Sequence, residues 1–199
     1  MKPEICAIFA IGPDNVIGIE DKMPWHSKQD FYHYKQVTNG YPCIFGERTF
    51  LGLPKYPLPN RLNICVNLDY KECKIIHTMT TEKGEVIDTG SYLEVPTIED
   101  AIALTSNYSK IFICGGRSIY KYCLEKKLVD TIYLTEVSSE DLEEQIHQNP
   151  DKYIRFPLNI KDYVKGWDCN DIFYDPAILP VEDSDIKVKF IKYTKLKNR

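Results

Sequence analysis

Four short stretches carry side chains suited to chemistry. In the first, Met23-Pro24-Trp25-His26-Ser27-Lys28-Gln29-Asp30-Phe31 sets a single acid one turn into a helix, with Trp25 before it and Phe31 and Tyr34 beside it. Rings that shelter a carboxyl group strip its solvation, so its pKa rises above the ~3.9 of a solvated aspartate and it can hold a proton nearer neutral pH. A plainer reading fits the same residues: Ser27-x-x-Asp30 is close to a capping box, and acids are favoured at helix N-termini. The second stretch, Gly46-Glu47-Arg48-Thr49-Phe50, lies at a strand-to-helix junction, where backbone N–H groups, a cation and a hydroxyl suit an anion. In the third, Gly115-Gly116 follows a buried run and precedes Arg117-Ser118-Ile119-Tyr120. Paired glycines let a ligand approach the backbone, and the helix start offers another phosphate site, although a tight strand-to-helix turn explains them equally well. The pattern is not G-x-G-x-x-G, so an ordinary Rossmann site is unsupported. The fourth stretch holds Arg61 at the mouth of a buried strand, placed to grip a carboxylate through two parallel bonds or simply to stand solvated.

The elements that position these residues follow from hydrophobic patterning. Apolar runs at 5–11, 43–45, 62–66, 111–114 and 131–137 read as buried strands. Helices are expected from Pro24 and Ser27 to about Asn39, briefly at 49–52, from Pro96-Thr97 to about Ser106, over 118–128, and as an acidic surface helix over 139–147. Ile186, Val188 and Phe190 alternate with lysines as a half-buried strand does, with 172–174 as its expected hairpin partner. Residues 70–96, broken by Gly84 and Gly90, have no assigned pairing. Strands alternating with helices imply one α/β domain over 1–199, with a mainly parallel sheet and an antiparallel C-terminal edge.

Composition narrows the function. A net charge of -4 argues against a nucleic-acid binder, which would present a basic surface. No stretch approaches the ~18 apolar residues of a membrane helix, and the N-terminus lacks a signal-peptide pattern. The seven cysteines form no C-x-x-C pair and no zinc spacing, so a reducing cytoplasm is expected and no metal site.

Taken in order, the stretches resemble the dihydrofolate reductase family. Ile17-Gly18, Met23-Pro24-Trp25, Asp30, Lys35-x-x-Thr38, Pro42-x-Ile44-x-Gly46-x-x-Thr49-Phe50, Pro57-Leu58-x-x-Arg61-x-Asn63, Gly115-Gly116-x-x-Ile119-Tyr120 and Thr135 match its pattern across residues 5–137. The resemblance implies a three-layer α/β fold with an eight-stranded sheet. It also implies NADPH-dependent reduction of dihydrofolate to tetrahydrofolate for one-carbon metabolism and thymidylate synthesis. Hydride would go to pterin C6 and a proton to N5. By resemblance, Asp30 and Thr135 hold the pterin with the backbone of Ile8 and Cys114, Trp25 shelters the acid, and Phe31 and Leu58 line the aromatic middle of the ligand. Tyr34, Lys35 and Tyr120 complete the substrate set, and Arg61 takes the α-carboxylate of the glutamate tail. Ala10, Ile17 and Gly18 face the nicotinamide. Gly46, Arg48, Thr49, Asn67 and Cys114, with Gly115, Gly116, Arg117, Ser118, Ile119 and Tyr120, hold the rest of the dinucleotide, and the glycine pair has a cis peptide. The loop 12–25 would act as a lid over both ligands. Antifolate binding and a monomeric state are further expectations.

Two positions depart from the family. Glu47 replaces a cation often found near the cofactor 2′-phosphate, and Asn67-Leu68 stands where a serine assists the same phosphate, so NADH use stays open beside NADPH. The acidic segment 138–151, with Glu140, Asp141, Glu143 and Glu144, is either a solvated helix face or a docking surface. A pyrimidine reductase of riboflavin synthesis shares the fold, but is expected to lack M-P-W-x-x-x-x-D. An assembly component that retains the reductase fold is the remaining alternative.

Overall fold

The computed structural model describes residues 2–196 apart from 21, 77, 78, 81–85, 88–90, 183 and 184. Along the chain run β1 (Glu4–Ile11), β2 (Val16–Ile19), α1 (Lys28–Thr38), β3 (Cys43–Gly46), α2 (Glu47–Leu51), β4 (Asn63–Val66), β5 (Lys74–Ile76), β6 (Met79–Thr80), β7 (Val86–Ile87), β8 (Tyr92–Val95), α3 (Ile98–Leu104), β9 (Lys110–Ile113), α4 (Arg117–Glu125), β10 (Thr131–Ser138), α5 (Glu140–Gln148), β11 (Tyr153–Arg155), α6 (Ile160–Tyr163), β12 (Asp168–Ile172) and β13 (Lys187–Thr194). Nine strands form one sheet in the order β12-β13-β10-β1-β9-β3-β4-β8-β5. The five pairings from β10 to β8 are parallel, and the β10–β13, β12–β13 and β5–β8 pairings are antiparallel. The central strands are apolar on both sides because helices cover both faces of a parallel sheet. Along β1, Ile5, Ala7, Phe9 and Ile11 enter one core and Cys6 and Ile8 the other, as the two-residue period of a strand requires.

The sheet has nine strands rather than eight, because Lys74–Ile76 adds an edge strand from the region left unassigned. The partner of the last strand is Asp168–Ile172, displaced from 172–174: Ile172 pairs with Phe190, whereas Phe173 is 85% exposed and begins the connection to β13. The second helix starts at Glu47, since Gly46 already has an extended N-cap conformation. The acidic helix α5 is only outwardly solvated, for Leu142 and Ile146 bury its inner face against Val16, Trp25 and Val137. No local pattern marks the β2–β11 pairing, which ties the loop 12–25 to residues 153–155. Gly84 and Gly90 lie outside the described residues. Among the described residues no helix is long and apolar enough to cross a membrane.

Candidate active site

The C-terminal ends of β1, β3, β4 and β9 open toward α1, α2 and α4, where ligands of open α/β sheets usually bind. α1 brings Asp30 over this edge. Its N-cap Ser27 accepts from the Asp30 N–H at 3.0 Å, so the capping interaction uses the backbone of Asp30 and leaves its carboxyl group for other work. The Asp30 side chain is buried, and that desolvation pushes its pKa up to about 6. The Thr135 hydroxyl draws it back down, and the nearby Glu182 carboxylate adds to the rise. Thr135 pairs with Ala10 across β1 and β10, which sets its hydroxyl on the sheet face that α1 covers.

Aromatic side chains from α1, α4 and the segment before α1 occupy the same end of the sheet. Trp25 is buried against Leu142 and Ile146 of α5, and no described group accepts a hydrogen bond from its indole N–H. Its ring also meets Gly12, where an added Cβ would lie 2.8 Å from Cζ3. Phe31 is 42% exposed, with the His26 ring tilted against it, so part of an apolar ring faces solvent. Tyr120 donates to the Ile8 carbonyl at 2.7 Å and thereby links α4 to β1. Tyr34 and Leu58 pack on the cluster that contains Ile8 and Cys114, and the Tyr34 hydroxyl lies beside the Cys114 thiol.

Side-chain bonds explain several motif letters. Asn63 holds Leu58 at both backbone atoms, accepting from its N–H at 2.9 Å and donating to its carbonyl at 2.8 Å, and it also reaches the Arg61 carbonyl. Arg61 Nε donates to Thr38 Oγ1 at 2.9 Å, Nη1 to the Pro59 carbonyl and Nη2 to the Lys35 carbonyl. Three of the five guanidinium N–H donors fix the plane, which leaves two for a carboxylate. The Lys35 side chain itself is exposed.

On the other side, Gly46 and the glycine pair form one junction. The Gly46 N–H donates to the Gly115 carbonyl at 2.7 Å, and the Gly115–Gly116 peptide is cis. Gly115 has φ +104°, a conformation that favours glycine. A Cβ on Gly116 would lie 2.5 Å from Thr49 Oγ1, and one on Gly46 would lie 3.1 Å from Ile119 Cγ1. α4 begins here with no side-chain cap and no acid in its first turn, unlike α1, α3 and α5. Its first amides lie beside Thr49, and Arg117 and Ser118 open the helix, so backbone N–H groups, a hydroxyl and a cation meet here, groups of the kind that bind anions. Arg117 is oriented by donating to the Arg155 carbonyl at 3.0 Å.

Other predicted residues are placed less directly. Glu47 is not a loose anion: Asn67 Nδ2 donates to it at 2.6 Å and the Tyr70 hydroxyl at 2.7 Å. Asn67 is therefore committed to Glu47, and its Oδ1 accepts from the Asp69 N–H. Ala10 adjoins the Trp25 cluster, whereas Ile17 packs with the opposite core and Gly18 sits in the β2–β11 pairing. Residues that the sequence did not single out include Tyr70, His33 with its partner Tyr174, and Glu182; no local pattern marks them.

Comparison with known proteins gives a consistent result. The dihydrofolate reductase family model matches residues 4–154. The chain is 33% identical to a type 9 dihydrofolate reductase of Escherichia coli over 65% of this chain and 68% of that one. It is 29% identical to the dihydrofolate reductase of Candida albicans over 79% of each. Among solved structures, a dihydrofolate reductase from Enterococcus faecalis complexed with NADP(H) and RAB-propyl superposes with a TM-score of 0.65 at 20% identity, covering 99% of both chains.

Proposed function

Since this chain belongs to the dihydrofolate reductase family, we propose that it reduces 7,8-dihydrofolate to tetrahydrofolate with NADPH, feeding one-carbon metabolism and thymidylate synthesis. The observation that carries the reading is Asp30: one buried carboxyl group, its pKa raised to about 6, at the sheet edge near a helix whose start no side chain caps. When bound, NADPH supplies the hydride for the pterin ring.

The chain's own residues do the rest. At neutral pH a useful fraction of Asp30 holds a proton, so it can deliver one to pterin N5 directly or through a single water. Thr135 steadies the carboxyl group, and Trp25, Phe31 and Leu58 exclude water from it. Ile8, Cys114, Tyr34 and Tyr120 form the floor under the pterin. Arg61, already held in plane, takes the α-carboxylate of the tail. Gly46, Arg48, Thr49 and residues 115–120 hold the dinucleotide's phosphates and ribose, with Ala10, Ile17 and Gly18 at its nicotinamide end. Loop 12–25 closes over both ligands, braced by β11 and α5.

A cytoplasmic monomer is part of the same reading: all seven cysteines are free thiols, and the acidic outer face of α5 is the surface for any protein contact. Antifolates that copy the pterin would compete at Asp30. The assay is loss of NADPH absorbance when dihydrofolate is added to the purified chain, run beside light scattering for the monomer. A folded protein that leaves the absorbance unchanged refutes the proposal.

A further inference from the structure

The N-terminal turn of α1 is closed by a carboxylate from far along the chain. Glu182 lies in the strap of residues 173–186 that joins β12 to β13, and it is half-buried. Its Oε1 accepts from the Lys28 N–H at 3.0 Å, and its Oε2 accepts from the Gln29 N–H at 3.2 Å. Ser27 Oγ donates its hydroxyl proton to the same Oε2. A hydroxyl has one proton, so this donation leaves the Ser27 lone pairs for the Asp30 N–H, which it accepts at 3.0 Å. The amides of Lys28, Gln29 and Asp30, orphaned by helix geometry, are thus all met, two by Glu182 and one through Ser27.

The strap holds α1 at two more points. Gln29 Nε2 donates to the Pro180 carbonyl at 3.0 Å, and the Tyr174 hydroxyl meets His33 Nδ1 at 2.8 Å. Asp185 repeats the device on α5, where Ser139 Oγ donates to it at 3.0 Å and accepts from the Leu142 N–H at 3.1 Å. Leu142 packs in the cluster that buries Trp25. One connection therefore steadies both the helix that carries the acid and the helix that braces the tryptophan.

We propose that Glu182 is a positioning residue for the reduction, holding the first turn of α1 so that Asp30 faces the cleft with a second carboxylate beside it. The inference rests on Asp30 being the acid. The groups acting on it are the Thr135 hydroxyl from β10 and Glu182 from the strap, with Tyr120 of α4 close by; Lys28 and His33 share its helix and His26 precedes it in the chain. Of the groups acting on it, Glu182 favours the protonated acid and Thr135 the ionised one.

Carbon-13 NMR of the full chain reads the Asp30 carboxyl group without any ligand, and single-turnover reduction across pH reads the consequence. Glu182→Gln keeps an acceptor for the helix amides and removes the charge. The Asp30 midpoint should then fall by about half a pH unit, and the decline of the reduction rate with rising pH should move down with it, a roughly threefold lower rate at pH above both midpoints. Glu182→Asp keeps the charge and should bring the midpoint back toward that of the parent. Should the glutamine variant not fold, Glu182→Ser is a second neutral variant with the same expectation. An unmoved midpoint in a folded neutral variant overturns the inference, as does an equal shift in Glu182→Asp. Asp30→Asn separates the two claims: if it keeps full turnover the acid assignment itself fails, whereas lost turnover in Asp30→Asn together with an unmoved Asp30 midpoint in the neutral Glu182 variants removes only the role of Glu182.

Discussion

Asp30 and His33 lie one turn apart on α1, and burial holds both toward their neutral forms. For the acid this means a rise to about 6, and for the base a fall to about 4. The two respond oppositely to pH, which makes their contributions to stability and to chemistry separable.

Replacing Asp30 by Asn should cost turnover and gain stability. An amide cannot deliver the proton, so the reduction rate at neutral pH should fall about a hundredfold or more, with cofactor affinity nearly unchanged. The folded pKa of Asp30 lies above its unfolded value, so ionisation favours the unfolded chain. The contribution of the protonated acid to stability is fully present below about pH 4 and is lost as pH rises through about 6. The variant should therefore be more stable than the parent at pH 7.5 by on the order of 3 kcal/mol, with the difference vanishing near pH 4. Urea unfolding at the two pH values measures it.

The opposite sign applies to His33. Its ring stacks on Phe190 at 4.3 Å, its Nδ1 meets Tyr174, and its Nε2 has no described partner. A base with a depressed folded pKa contributes stability above its unfolded pKa near 6.5, and that stability is lost as pH falls through about 4. His33→Phe keeps the stack and removes the base. Relative to this variant, the parent should lose on the order of 3 kcal/mol between about pH 7.5 and pH 4. Parallel unfolding curves at all pH values would show that the ring is not buried as a neutral base.

Arg61 should control substrate affinity and leave the chemical step alone. Lysine cannot reproduce a guanidinium plane fixed by Thr38, Pro59 and Lys35, nor offer two parallel donors. Arg61→Lys should raise KM for dihydrofolate about tenfold or more while kcat changes little. A dihydropterin without the glutamate tail should be reduced equally well by parent and variant, and a selective loss with the tailless compound would contradict the assignment.

Much of this site is legible in the sequence because its residues fall within compact motifs. Thr38 and Arg61, Asn63 and Leu58, and Ser27 and Asp30 are pairs whose partners lie in motifs already visible as sets of letters. The buried strands were equally plain, since parallel strands covered on both faces are continuous apolar runs. What could not be read were contacts across long separations between unremarkable residues. Glu182 meets Ser27 across 155 positions, and Tyr174 meets His33 across 141, with nothing in either neighbourhood to announce a partner. Strand β5 escaped for a different reason: it is a three-residue edge with two exposed positions, too short to show a period.

The glycine pair offers a test of the dinucleotide side that distinguishes packing from binding. Gly116 has φ -83°, open to any residue, so its constraint is space, with Thr49 Oγ1 2.5 Å from where a Cβ would stand. Gly116→Ala should destabilise the chain by about 1–3 kcal/mol and weaken NADPH binding, because the α4 amides and Thr49 are pushed apart. Thr49→Ala removes the obstructing oxygen, so the double variant should recover most of the lost stability, a coupling far larger than distant sites show. It should not recover NADPH affinity, since Thr49 is proposed to donate to the cofactor. Thermal melts and cofactor titration of the four proteins complete the cycle. Additive melting shifts would mean that the two residues do not meet, and full recovery of affinity would remove Thr49 from the binding set.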